Sequence, residues 1–159
     1  ALLTAGLTGI PADAAPKPKP FSGSYDLKLN PDPTGEATGF AGSASLGTGC
    51  TNFSEASINR RALTVPGKGK LKVTLVAADP TNGATSAAIG VDWDLYILQP
   101  TGAKAPNTGF NADEELDSSH GATGNEQTNT TFTKATKVII EICNLIGTPD
   151  AKVTFSYKP

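Results

Sequence analysis

The chain has 159 residues, 38% of them hydrophobic, enough for one ordinary core and too few for two comfortable ones, so a single domain is expected. Its 13 Lys and Arg against 15 Asp and Glu give a formal net charge of -2, and the basic residues are scattered rather than striped, which disfavours nucleic acid as a partner. With 17 Gly and 12 Pro among many Thr, Ser and Asn, short strands and frequent turns are favoured over helices, and the expected class is all-β.

Residues 1–10 are apolar and uncharged, and Ala12-Asp13-Ala14-Ala15 leads from them into Pro16-Lys17-Pro18-Lys19-Pro20. Two readings stand. In one, this is the tail of a secretory signal peptide with a small-residue cleavage site, marking export. In the other, Ala1 begins the mature chain, and Leu2, Leu3, Leu7 and Ile10 belong to an assembly arm that adds a strand to an open sheet, its own or a neighbour's. About ten residues are too few to span a bilayer, which takes ~20, so no membrane span is expected. The Pro/Lys segment is then a stiff, extended spacer. This divides the chain into an arm and spacer over residues 1–20 and a β-sandwich over residues 21–159.

Residues 24–29 alternate as a strand, and the turn cluster of residues 30–35 ends it. Residues 36–53 are Gly-, Ser- and Ala-rich and weakly patterned. Strands are predicted over 57–65 and 70–77, joined by a hairpin-like connection through Pro66-Gly67-Lys68-Gly69. After a loop over 79–90, the run Asp92-Trp93-Asp94-Leu95-Tyr96-Ile97-Leu98-Gln99-Pro100-Thr101-Gly102 carries the clearest pattern. Trp93, Leu95 and Ile97 share one parity and face a core; Asp92, Asp94, Tyr96 and Leu98 share the other; Pro100 and Gly102 make the closing turn. A polar passage over 101–125 reads as loop, followed by strands at 126–132, 137–143 and 152–157. Eight or so short strands predict two packed sheets.

Cys50 lies in a Gly/Thr loop and Cys143 in an apolar run, so the two are expected to pair as one disulfide across a sandwich; two separate buried thiols are the alternative.

Leu63-Thr64-Val65-Pro66-Gly67, Leu71-Lys72-Val73-Thr74-Leu75 and the Asp92 to Gly102 run come in an order that resembles the bacterial pre-peptidase C-terminal (PPC) domain. Ser118-Ser119, Gly124-Asn125-Glu126, residues 135–144, Gly147 and residues 153–157 extend the similarity over roughly residues 56–158. More loosely, the chain is similar to the P domain of proprotein convertases. The resemblance implies a jelly-roll-like antiparallel β-sandwich of an exported protein, of a kind that accompanies secreted hydrolases and in some members binds calcium or fibrous substrates. The residues before about 56 depart from that plan as extra strands and an arm.

Chemistry is sparse. His120 sits in a polar loop with nothing to hold it beside a nucleophile, and Cys143 lies in an apolar strand, so no catalytic residue is assigned and an enzyme is not expected. Asp92, Asp94, Asp113, Glu115 and Asp117 are candidate calcium ligands, since carboxylates with carbonyls supply the six to eight oxygens that Ca²⁺ takes; a solvated acidic loop is the plainer alternative. Asn52 and Asn129 stand in Asn-x-Ser/Thr sequons, candidate glycosylation sites. Tyr96, Phe110 and Trp93 suggest an aromatic platform for a polysaccharide, although Trp93 shares the parity of the core. Two functions follow as expectations. One is a secreted structural subunit of a filament or pilus, a homopolymer built by donation of the arm. The other is a stand-alone secreted module that binds polysaccharide, fibrous protein or calcium.

Overall fold

The computed structural model describes residues 17–32, 50, 54–78, 91–102, 113–121 and 123–159. The predicted arm residues Leu2, Leu3, Leu7 and Ile10, the sequon residue Asn52 and Phe110 lie outside them.

Eight strands form among the described residues: β1 (Phe21–Lys28), β2 (Ile58–Val65), β3 (Gly69–Ala77), β4 (Asp92–Gln99), β5 (Glu114–Ser119), β6 (Asn125–Phe132), β7 (Thr136–Ile146) and β8 (Asp150–Lys158). A 3-10 turn, Glu55–Ser57, precedes β2. One sheet, A, runs β1-β8-β3-β6, and the other, B, runs β2-β7-β4-β5, with every pairing antiparallel. Only β4 and β5 are both consecutive in the chain and paired within a sheet; each other connection crosses between sheets. That interleaving is the jelly roll, so the expected fold class holds.

The core forms where the two inner faces meet. Leu71, Val73 and Leu75 of β3 and Val153 and Tyr157 of β8 pack against Trp93, Leu95 and Ile97 of β4 and Val138, Ile140 and Ile142 of β7. Trp93, Leu95 and Ile97 are all 0% exposed, as their shared parity predicts. Gly102 closes the following turn at φ 74, a conformation that glycine adopts without penalty.

Two expectations change. Pro66 to Lys68 do turn the chain, but β2 belongs to sheet B and β3 to sheet A, so they form a crossing rather than a hairpin. The reason is burial: Val65 and Leu71 are both 0% exposed, and their strands face each other through the core instead of pairing edge to edge. The polar passage also contains a strand, β5, whose Leu116 alone packs on the core from a polar sequence.

The disulfide forms between Cys50 and Cys143, with 5.9 Å between Cα atoms, within the usual range. It does not cross the core. Cys143 lies opposite Ile58 and Asp94, on the outer side of sheet B, and with Cys50 and Leu145 forms a small apolar cluster of its own.

Candidate functional site

Three places concentrate chemistry. The first is the beginning of β4. Asp92 and Asp94 are each 8% exposed, and Asp94 accepts a hydrogen bond from the Tyr96 hydroxyl at 3.1 Å. The Tyr96 ring stacks on the His120 ring, centroids 6.2 Å apart and planes 16° from parallel. From sheet A, Glu126 turns inward beside them and accepts from Ser119 Oγ and, at 2.9 Å, from Thr123 Oγ1. Burial, then the charge of Glu126, raises Asp92 to about 6. Burial, then the charge of Asp92, raises Asp94 to about 7, against the pull of the Tyr96 hydroxyl and His120. The Tyr96 hydroxyl is itself raised, by burial and then by Asp94.

The other three candidate calcium ligands are elsewhere. Asp113 is 5% exposed and lies 3.8 Å from the Arg60 guanidinium. Glu115 accepts from Ser118 Oγ at 2.7 Å, and Asp117 accepts from the Asn129 backbone N–H and Thr130 Oγ1, both at 3.0 Å. The five carboxylates therefore form no single cage, and among the described residues no group of three His, Cys, Asp or Glu side chains is placed to hold a metal ion. The cause is β5: as a strand it sends Glu115 and Asp117 to partners of their own instead of gathering them in a loop. Ser118 and Ser119 give their protons to carboxylates, so neither is paired with His120 as a nucleophile with its base.

The second place is the outer side of sheet B. Glu141 is 1% exposed and accepts from Arg60 Nε and, at 2.7 Å, from the Cys50 backbone N–H. Burial raises the Glu141 carboxyl while Cys50 N–H and Arg60 pull it down. A buried carboxylate held by a guanidinium and a disulfide-anchored amide ties residue 50 to the sheet. Neither Arg60 nor Glu141 stands out in the sequence, because their meeting depends on the β2–β7 register that sets Arg60 opposite Glu141.

The third place is the pair of lateral edges, which differ sharply. Along β6, the backbone N–H groups of Asn125, Gln127 and Asn129 donate to Thr123 Oγ1, Ser119 Oγ and the Asp117 carboxylate. Side chains thus occupy the donors that a sheet edge would otherwise offer to another chain. Along β1, β8 is the only paired strand among the described residues. The inner side of that open edge is aromatic. Phe21 stacks on Tyr157 with centroids 5.2 Å apart, and Tyr25 packs on Phe155 at 6.4 Å. From β2, Arg61 reaches over, its Cζ 4.4 Å from the Tyr25 ring centre. Phe21, Tyr25, Leu63 and Phe155 are only partly buried. The Tyr25 hydroxyl is buried with no hydrogen-bond partner among the described residues, and burial pushes it up to about 12. Ahead of β1, Pro18 lies against Gly67 in the β2–β3 crossing so closely that a Cβ there would stand 2.5 Å from Pro18 Cγ. That contact fixes where the spacer joins the sandwich.

Asn129, the described sequon residue, lies on the exposed side of β6. Among the described residues no helix is long and apolar enough to cross a membrane. No protein-family model and no curated protein matches the chain. Among solved structures, the mitogen derived from Yersinia pseudotuberculosis is similar at a TM-score of 0.33 and 14% identity, over 64% of this chain and 84% of that one.

Proposed function

We propose that this chain is an exported, non-catalytic structural subunit that assembles by strand addition, the apolar arm of one copy lying along β1 of the next. The open β1 edge carries the reading: it stands unpaired among the described residues while the β6 edge has its donors capped. An extended segment adds to such an edge through backbone hydrogen bonds and fills side-chain pockets at every second residue. In the arm, Leu3, Ala5 and Leu7 alternate with Thr4, Gly6 and Thr8. That spacing suits the partly buried aromatic floor of Phe21, Tyr25 and Phe155. Head-to-tail donation is a heterologous contact, and it propagates an open filament.

Export is supported by the disulfide, which persists in oxidising compartments. The absence of catalysis is supported by serines that donate to carboxylates and by a histidine stacked on Tyr96.

Deleting residues 1–15 should leave the circular dichroism spectrum of the sandwich unchanged and abolish assembly. Fibres in the electron microscope that persist after the deletion, or a full chain that stays monomeric at high concentration, would count against the reading.

A further inference from the structure

The outer sides of the two sheets differ as much as their edges do. On sheet B, the outward-facing Glu141, Cys143 and Leu98 are at most 1% exposed. On sheet A the outer side is mostly polar and exposed, with Val76 of β3 half-buried at one end. Lys70 of β3 lies opposite Lys158 of β8 on one side and Thr131 of β6 on the other; Lys72 lies between Ser156 and Asn129. Lys68 stands at the same end, just ahead of β3. Like charges set directly opposite one another destabilise a sheet, and the salt bridges of the described residues involve none of these lysines. Two shallow recesses of about 530 and 520 Å³ cover this side and meet at Lys72 and Ser156. Together they make one track across four strands, about 14 Å wide at the usual strand spacing.

We infer that this track is a binding site for an anionic polysaccharide, with Lys68, Lys70, Lys72 and Lys158 holding its carboxylate or sulfate groups and Asn129, Thr131 and Ser156 its hydroxyls. Among the described residues no salt bridge balances the lysine cluster, and an anionic ligand supplies the charge complement. Nucleic acid fits less well: single strands bind on exposed aromatic rings, and Phe132 and Tyr157 at this end are 5% and 1% exposed. A membrane surface fits less well too, since no large apolar side chain projects from the exposed positions of β3, β6 and β8 to enter lipid. Rows of hydroxyl and amide side chains beside ammonium groups suit a chain of charged sugars. The track lies on the face of sheet A and the assembly reading on the edge of β1, so either can fail without the other.

The test is calorimetric titration of the full-length chain with heparin as the sulfated probe and polygalacturonate as the carboxylated one, at low ionic strength. Binding to at least one is expected, weakening as salt is added. The double variant K70Q/K158Q should bind about tenfold more weakly. K134Q/K137Q, which removes the same charge from side chains that line neither recess, should bind like the unaltered chain. All four substituted lysines are exposed, and an unchanged circular dichroism spectrum confirms the fold of each variant. The inference is overturned by no binding to either probe, by equal losses in the two double variants, or by double-stranded DNA or phosphatidylserine vesicles binding as tightly as the polysaccharides.

Discussion

Replacing both Cys50 and Cys143 with Ala is expected to lower the unfolding free energy by about 5 kcal/mol, chiefly because the bond closes a very long loop in the unfolded chain. The cysteines are 93 positions apart. The native state loses as well. Cys50 N–H donates to the buried Glu141 carboxylate, and once residue 50 is no longer tied to β7, that carboxylate depends on Arg60 for its compensation. An uncompensated buried charge is costly, so the loss should exceed the loop-closure contribution alone. Urea unfolding of the oxidised chain, the reduced chain and C50A/C143A measures it. Reduction and substitution should both move the midpoint to markedly lower urea; coincident midpoints for all three would show that the bond contributes nothing.

The second large effect is one of pH. Asp94 and Asp92 titrate at about 7 and about 6 in the folded chain, both raised above the ordinary carboxylate value by burial first and neighbouring carboxylates second. A raised value means that the folded state holds its protons more tightly than the unfolded one. The stability these groups contribute is therefore complete below the unfolded value near pH 4 and is lost as the pH rises through about 6 to 7. Asp94→Asn removes the larger part of that loss while its Oδ1 still accepts from Tyr96. The variant should be more stable than the parent by about 3 kcal/mol at about pH 8, with the gap closing towards about pH 4. Thermal melts across that range decide the matter, and parallel profiles for the two proteins would contradict it.

How far the sequence revealed this molecule depends on the strand. In β4 the period of two holds from Trp93 to Ile97, between bulges at either end, and the core residues Trp93, Leu95 and Ile97 can be read without coordinates. β5 cannot, because Glu114, Glu115, Asp117, Ser118 and Ser119 are all polar and only Leu116 touches the core. Its place is set by pairing with β4, a long-range fact that local pattern does not carry. The connection through Pro66 and Gly67 illustrates the same limit. Turn residues announce a change of direction and are silent on whether the next strand lies in the same sheet.

The sites were legible to a similar degree. Two cysteines in one exported-looking chain predict a bond, but the side of the sheet on which it lies follows from the parity of β7 relative to its core face. The acidic residues were visible as a group in sequence and are separated in space, each claimed by a different strand. Glu126, whose charge reaches Asp92 and Asp94 from the opposite sheet, signals itself in the sequence only as part of a strand. Arg61 over Tyr25 was not legible at all, since it joins the first two strands across an interval of more than thirty residues and signals itself by no motif.

In the proposed assembly the β1 edge accepts an added strand. Amide hydrogen exchange tests it most directly, on the chain lacking residues 1–15, with and without a synthetic peptide of residues 1–10. The peptide should slow exchange at alternate amides along Phe21–Lys28 and leave those of Asn125–Phe132 unchanged. Unaltered exchange in β1 at saturating peptide, or protection appearing at β6 instead, would contradict it.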